Sequence, residues 1–123
     1  KKLEEIFKTY DIDKIVHLAA RAGVRPSIRD PLLYEDVNIR GTLNLLELCK
    51  EYQVKNFIFG SSSSVYGINS KVPFSEDDPI NFPISPYATS KRSCELFCFT
   101  YSSYLFKILH SLWTTSETRD GDS

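Results

Sequence analysis

The stretch Ser85-Pro86-Tyr87-Ala88-Thr89-Ser90-Lys91 starts a helix and carries two groups able to do chemistry. Ser85 is a capping residue for the free amides of the first turn. Pro86 suits the first helical position because it has no amide to satisfy. Tyr87 and Lys91 then lie four apart, one turn above the other on one face. An ammonium held beside a phenol favours the phenolate, and such a tyrosine can take and return a proton. The spacing alone is a weak signal. Tyr10 and Lys14 repeat it where nothing nearby suggests chemistry, and the bland reading is a tyrosine at a helix start with a solvated lysine. Context strengthens it: the strand-like Lys55-Asn-Phe-Ile-Phe59 runs into Gly60-Ser-Ser-Ser-Ser-Val-Tyr-Gly67 one loop upstream.

Working outward, Leu3, Ile6, Phe7 and Tyr10 recur at helical spacing and predict an amphipathic helix over 2–10. Lys14-Ile-Val-His-Leu-Ala-Ala20 predicts a short strand, apolar enough to be buried on both faces. Residues 21–29 read as loop. Asp30-Pro31 repeats the cap-plus-proline signal and opens a long helix over about 31–52. Gly41 lies inside that helix at a cost of about 1 kcal/mol relative to alanine. A close backbone approach would explain it, and a plain kink is the duller alternative. Strand, helix, strand implies a parallel pair with a right-handed crossover. Residues 68–84, with three prolines, read as an ordered loop. The helix from Pro86 should reach about residue 104, and residues 106–113 suit a third strand. The fold class is therefore α/β, a partial parallel sheet with flanking helices.

The 123 residues suffice for about one small domain. A net charge of -1 provides no field to attract nucleic acid or an anionic membrane. No basic run alternates with aromatics, and no apolar run spans a bilayer. Cys49, Cys94 and Cys98 form no Cys-x-x-Cys pair, and their odd number argues for reduced thiols in a cytoplasmic setting. Cys94 and Cys98 share a helix face, but neither histidine has ligand spacing to them, so packing outweighs a metal site.

In an open parallel sheet, ligands sit at the carboxyl ends of the strands. Two loops leave such ends. Ala19-Ala-Arg-Ala-Gly-Val-Arg25 offers small residues for a flat or extended ligand, or is a plain connection. Ser61 to Ser64 offers hydroxyls that donate and accept, suiting a hydroxylated or carboxylated substrate, or is a serine-rich turn.

Taken together, His17-Leu-Ala-Ala-Arg-Ala-Gly-Val-Arg25, Asn38-Ile-Arg-Gly-Thr42, Ser61-Ser-Ser-Ser-Val-Tyr-Gly67 and Ser85-Pro-Tyr-Ala-Thr-Ser-Lys91 follow the order seen in extended short-chain dehydrogenases/reductases. The chain resembles their nucleotide-sugar epimerases, the UDP-glucuronate 4-epimerases above all, over about residues 1–105. The resemblance implies a Rossmann-like fold, NAD as cofactor and a UDP-sugar as substrate. It makes Tyr87 the acid/base, with Lys91 tuning it and holding the nicotinamide ribose. Ser62 matches the family's catalytic serine or threonine. Leu18, Ala19, Ala20 and Arg21 match the loop along NAD, and Asn38 the helix asparagine near it. Ser63, Ser64 and Arg25 would face the sugar. Hydroxyl oxidation at C4, turnover of the 4-keto sugar and its reduction from the other face would complete the reaction. The 4,6-dehydratases of the family carry Asp-Glu where this chain has Ser63 and Ser64. Losing water needs a protonated carboxyl, so an epimerase fits better, with a decarboxylase as a further alternative. Relatives often pair through two long helices per subunit, here about 31–52 and 86–104, where Phe97, Phe99 and Tyr101, if exposed, would suit a contact, with core packing the equal alternative.

The resemblance also sets expectations about what is missing. The family's Gly-rich loop should precede residue 1, and its substrate domain should follow. Residues 1–110 then form an incomplete NAD-binding domain, and 111–123 a polar, frayed or non-native tail. Leu112-Trp113-Thr114 can be encoded so that a one-base shift reads the family's Tyr-Gly-Pro. An inactive fragment is expected, and a non-catalytic remnant or interaction module is the competing reading.

Overall fold

A computed structural model describes residues 1–68 and 72–103, with the backbone of 108–111. Three parallel strands lie in the order β1 (Lys14–His17), β2 (Asn56–Gly60), β3 (Ile108–Ser111). Between β1 and β2 run α2 (Val24–Arg29), α3 (Pro31–Tyr34), a π-helical segment (Glu35–Arg40) and α4 (Gly41–Glu51). Between β2 and β3 lie a 3-10 turn (Ser63–Tyr66) and α5 (Pro86–Ser102), and α1 (Lys2–Thr9) precedes the sheet. The parallel pair and the helix between its strands follow the expectation. The polar tail over 112–123 lies outside the described residues.

The starts form as their sequences dictate. Ser85 Oγ accepts from Ala88 N at 3.0 Å and Pro86 opens α5. Asp30 Oδ1 accepts from Leu33 N at 3.3 Å ahead of Pro31. Phe57 and Phe59 of β2 are buried and pack with Leu46 and Cys49 of α4 and Cys94, Cys98 and Tyr101 of α5. Burying each phenylalanine contributes about 1.5–3 kcal/mol, which makes β2 the strand on which the helices assemble.

Several expectations change. Residues 24–29 are helical: Pro26 falls in the first turn of α2, where its missing amide would lack a helical partner in any case. The first strand ends at His17 and is not buried on both faces: His17 is buried, whereas Val16 is 60% exposed. The long helix is interrupted by its π segment. Gly41 has open space where a Cβ would stand, so no close approach accounts for it. Of the aromatics suggested for a subunit contact, Phe99 is exposed, but Tyr101 is buried and its hydroxyl donates to Glu47. In α1 only Phe7 is buried.

Candidate active site

Lys91 is a charged residue in an apolar place. It is 4% exposed, and its Nζ sits 4.4 Å from the centroid of the Phe59 ring, near the carboxyl end of β2. Among the described residues it makes no ion pair. Burial holds its pKa below the usual lysine value, against the pull of Cys94, Glu95 and Cys98. The ring face recovers part of the desolvation cost.

Tyr87 is half-buried one turn before Lys91. The edge-on ring of Tyr34 meets its ring at 6.2 Å and 79°. Tyr34 is itself 1% exposed, and its hydroxyl donates to Ala22 O at 2.7 Å. The loop after β1 is thereby fastened beside the Tyr87 ring. Sequence reading missed Tyr34; its place one turn before Asn38 on the same helical run was the available signal.

Asn38 lies in the π segment, a feature that recurs at functional sites. Its Oδ1 accepts from Arg21 N at 2.7 Å, and its Nδ2 donates to Arg21 O at 3.0 Å and to Ser90 Oγ at 2.9 Å. Ser90 Oγ donates in turn to Tyr87 O at 2.7 Å. One side chain thus pins Arg21 on both sides and reaches the first turn of α5. Both amide hydrogens of Asn38 are committed within the chain.

Behind this runs a buried polar row. Thr42 Oγ1 donates to Asn38 O at 2.6 Å, so its single hydrogen is used. The 3.0 Å contact with His17 Nε2 therefore has the imidazole donating, which fixes the Nε2–H tautomer. Cys94 Sγ donates to Asn38 O at 3.1 Å. Burial, and then the Lys91 charge, hold the His17 pKa below 6.5.

The serine loop begins where β2 ends. Ser62 caps the 3-10 turn, its Oγ accepting from Ser64 N at 3.2 Å. Ser63 and Ser64 are half-buried within that turn, which packs against α5. Ser61 donates to Glu95 Oε1, and Glu95 Oε2 accepts from Arg92 Nη1 at 3.0 Å. The turn ends at Gly67, whose φ of 55° and ψ of -119° suit glycine alone. Tyr66 stacks on Phe74 at 4.6 Å, and its pKa is pushed up to about 12 by burial and by Asp78, Glu76 and Glu95.

Leu18, Ala19, Ala20 and Arg21 are exposed past the end of β1, and the Leu18 side chain lies over Gly60, where a Cβ would fall 2.7 Å from its Cδ2. Arg25 is exposed on α2, which packs against α5. The fold therefore gathers both loops and the Tyr87–Lys91 turn at one end of the sheet. Among the described residues it does not join Tyr87 Oη, Lys91 Nζ and Ser62 Oγ to one another by hydrogen bonds. No group of three ligand-type side chains among the described residues could hold a metal ion.

Comparison with known proteins gives the chain's family and fold. A family model described as GDP-mannose 4,6 dehydratase matches residues 1–116, past the point where the motifs alone end the resemblance. The chain belongs to this family of NAD-dependent epimerases and dehydratases. It is 52% identical over 99 residues to a UDP-glucuronate 4-epimerase of Thermodesulfobacterium geofontis, covering 80% of this chain and 30% of that protein. A probable UDP-glucuronate 4-epimerase of Rhizobium meliloti is 45% identical over 94 residues, 76% of this chain and 27% of that one. Among solved structures, the UDP-glucose 4-epimerase of Bifidobacterium longum in complex with NAD+ and UDP superposes with a TM-score of 0.83 at 33% identity. That match covers 88% of this chain and 33% of that one, and the fold is accordingly Rossmann-like. The chain spans about 30% of the length of these curated relatives.

Proposed function

We propose that this chain carries the catalytic helix and part of the cofactor floor of an NAD-dependent nucleotide-sugar 4-epimerase of the UDP-glucuronate/UDP-galacturonate type. The observation that carries the reading is Lys91, a buried ammonium without an ion pair among the described residues, one turn from Tyr87 and at the mouth of β2. Such a charge has donor capacity left for a ribose hydroxyl.

The exposed Leu18–Arg21 segment, apolar for three of its four residues, fits the flank of an extended dinucleotide. When bound, NAD supplies a two-electron acceptor at the sugar C4. Tyr87 takes the 4-hydroxyl proton and later returns it. Ser62 hydrogen-bonds the same hydroxyl, releasing Ser64 N or sharing its acceptor with it. Arg25 supplies the charge for a sugar carboxylate. Asn38 acts on this site through Arg21 and Ser90 rather than by donating to the cofactor.

Ser63 and Ser64 favour epimerisation over dehydration, since neither hydroxyl can protonate a leaving hydroxide as a carboxyl does. Three unpaired buried thiols suit a reducing, cytoplasmic compartment, and α3–α4 with α5 are the helices through which two subunits would pair.

The test is interconversion of UDP-glucuronate and UDP-galacturonate by the complete protein, with loss of at least about 10²-fold in kcat in Tyr87→Phe. A 4-keto-6-deoxy product would overturn the choice of epimerase. The 123-residue chain by itself is expected to show no turnover, and measurable epimerisation by it would contradict this part of the reading.

A further inference from the structure

Tyr87, Lys91 and Glu95 are spaced four apart on α5 and form one stripe along its face. The third member is not a solvated charge. Glu95 has a side chain only 14% exposed, and both carboxylate oxygens are engaged. One accepts from Ser61, the first residue after β2, and the other from Arg92, one turn of the same helix away. Arg92 fixes the carboxylate from the α5 side, so the Ser61 contact is a tie between the helix and the loop. Ser62 is the next residue and caps the 3-10 turn with the hydroxyl that the proposed reaction uses.

We infer that Glu95 is a positioning residue: by holding Ser61 it sets the Ser62 hydroxyl at a fixed height above the Tyr87–Lys91 turn. The inference rests on the proposed roles of Tyr87, Lys91 and Ser62. Glu95 itself touches neither the sugar nor the cofactor. A carboxylate in this place has no acid or base to be for the sugar, because both oxygens are occupied inside the chain.

The geometry separates this from a general stabilising role. Misplacing a catalytic group by about 1 Å costs up to roughly 10²-fold in rate, and the loss falls on kcat rather than KM when the interaction is made in the transition state. Glutamine at position 95 keeps an oxygen to accept from Ser61, whereas alanine does not.

The experiment is a double-mutant cycle in the complete protein, with UDP-glucuronate as substrate and Tyr87→Phe as reference. Ser61→Ala and Glu95→Ala should each lower kcat by about tenfold or more, with KM within about twofold. The double variant should be no slower than Glu95→Ala, because the two act as one tie. Glu95→Gln should restore most of the rate, which also guards against misfolding of the alanine variant. Ser61→Ala at wild-type kcat, multiplicative effects in the double variant, or Glu95→Gln as slow as Glu95→Ala would overturn the tie while Tyr87→Phe remains inactive. An active Tyr87→Phe would overturn the proposed function as well, and the inference with it.

Discussion

Asn38 Nδ2 donates to Ser90 Oγ at 2.9 Å, across 52 positions of sequence. The same carboxamide exchanges two hydrogen bonds with the backbone of Arg21. Three separate pieces of chain, the loop after β1, the π segment and the first turn of α5, are held by one residue that is 2% exposed. Removing it leaves Arg21 N, Arg21 O and Ser90 Oγ each short of a partner, Ser90 in a buried place and Arg21 on the exposed loop, where water recovers part of the loss. Leaving such groups unsatisfied costs about 1–3 kcal/mol apiece, only partly recovered by relaxation. Asn38→Ala is therefore expected to lower the unfolding free energy by about 2–3 kcal/mol in denaturant titration. A loss below about 0.5 kcal/mol would mean that Asn38 does not hold the junction.

The glycines divide cleanly. A Cβ at Gly67 would fall 2.0 Å from Phe82 O, on a backbone with φ of 55°. The atoms it would meet, in Phe82 and Pro83, are all backbone, so the turn or the 82–83 segment must move. Gly67→Ala should cost at least about 2 kcal/mol. At Gly41 nothing lies within 4 Å of the added carbon, and φ is -59°. Gly41→Ala should stabilise by about 0.5–1 kcal/mol. Thermal unfolding of the two variants side by side checks both signs; a destabilised Gly41→Ala would reveal a constraint on α4 that its open surroundings do not show.

What could be read from the sequence was local or periodic. Ser85-Pro86 and Asp30-Pro31 announce helix starts through chemistry that acts within one turn, and both starts are found. The alternation of strand and helix fixes the parallel crossover by chain geometry alone. The apolar run continues through Leu18, Ala19 and Ala20, three residues past the end of the strand at His17. Their end of the chain turns away, and Leu18 covers Gly60 instead of pairing. Gly23 and Pro26 are breakers in most settings, which hides the helix over 24–29, yet Pro26 sits where a helix tolerates it. The contacts that shape the site had no local signature. Asn38 with Ser90, Tyr34 with Ala22 and Ser61 with Glu95 each join distant segments, and nothing periodic marks such a pair before the segments are packed.

The three thiols should be inert. Burial pushes Cys49 and Cys98 up to about 12, and raises Cys94 as well. The thiolate is the reactive form, so a disulfide reagent at about pH 8 should label none of them within minutes in the native chain. All three should react in strong denaturant. A fast-reacting thiol under native conditions would show that the packing of α4 against α5 opens readily.

His17 makes stability depend on pH in a defined window. Its native pKa lies below the ordinary 6.5, chiefly because burial disfavours the charged ring and secondly because Lys91 repels it. The unfolded chain therefore binds this proton more tightly than the folded one, and acid favours unfolding. The stability contributed by the neutral ring is complete above about pH 6.5 and is lost as pH falls from there through the lowered native value. Protonation would also give the imidazole a second donor, at Nδ1, with no acceptor among its hydrogen bonds in the described structure. His17→Gln retains an amide able to donate to Thr42 but cannot titrate. Urea unfolding of the two proteins between about pH 5 and 7.5 should show the wild type losing stability below pH 6.5 and the variant losing less. Parallel curves would place the acid sensitivity in other groups and deny His17 a buried, neutral state.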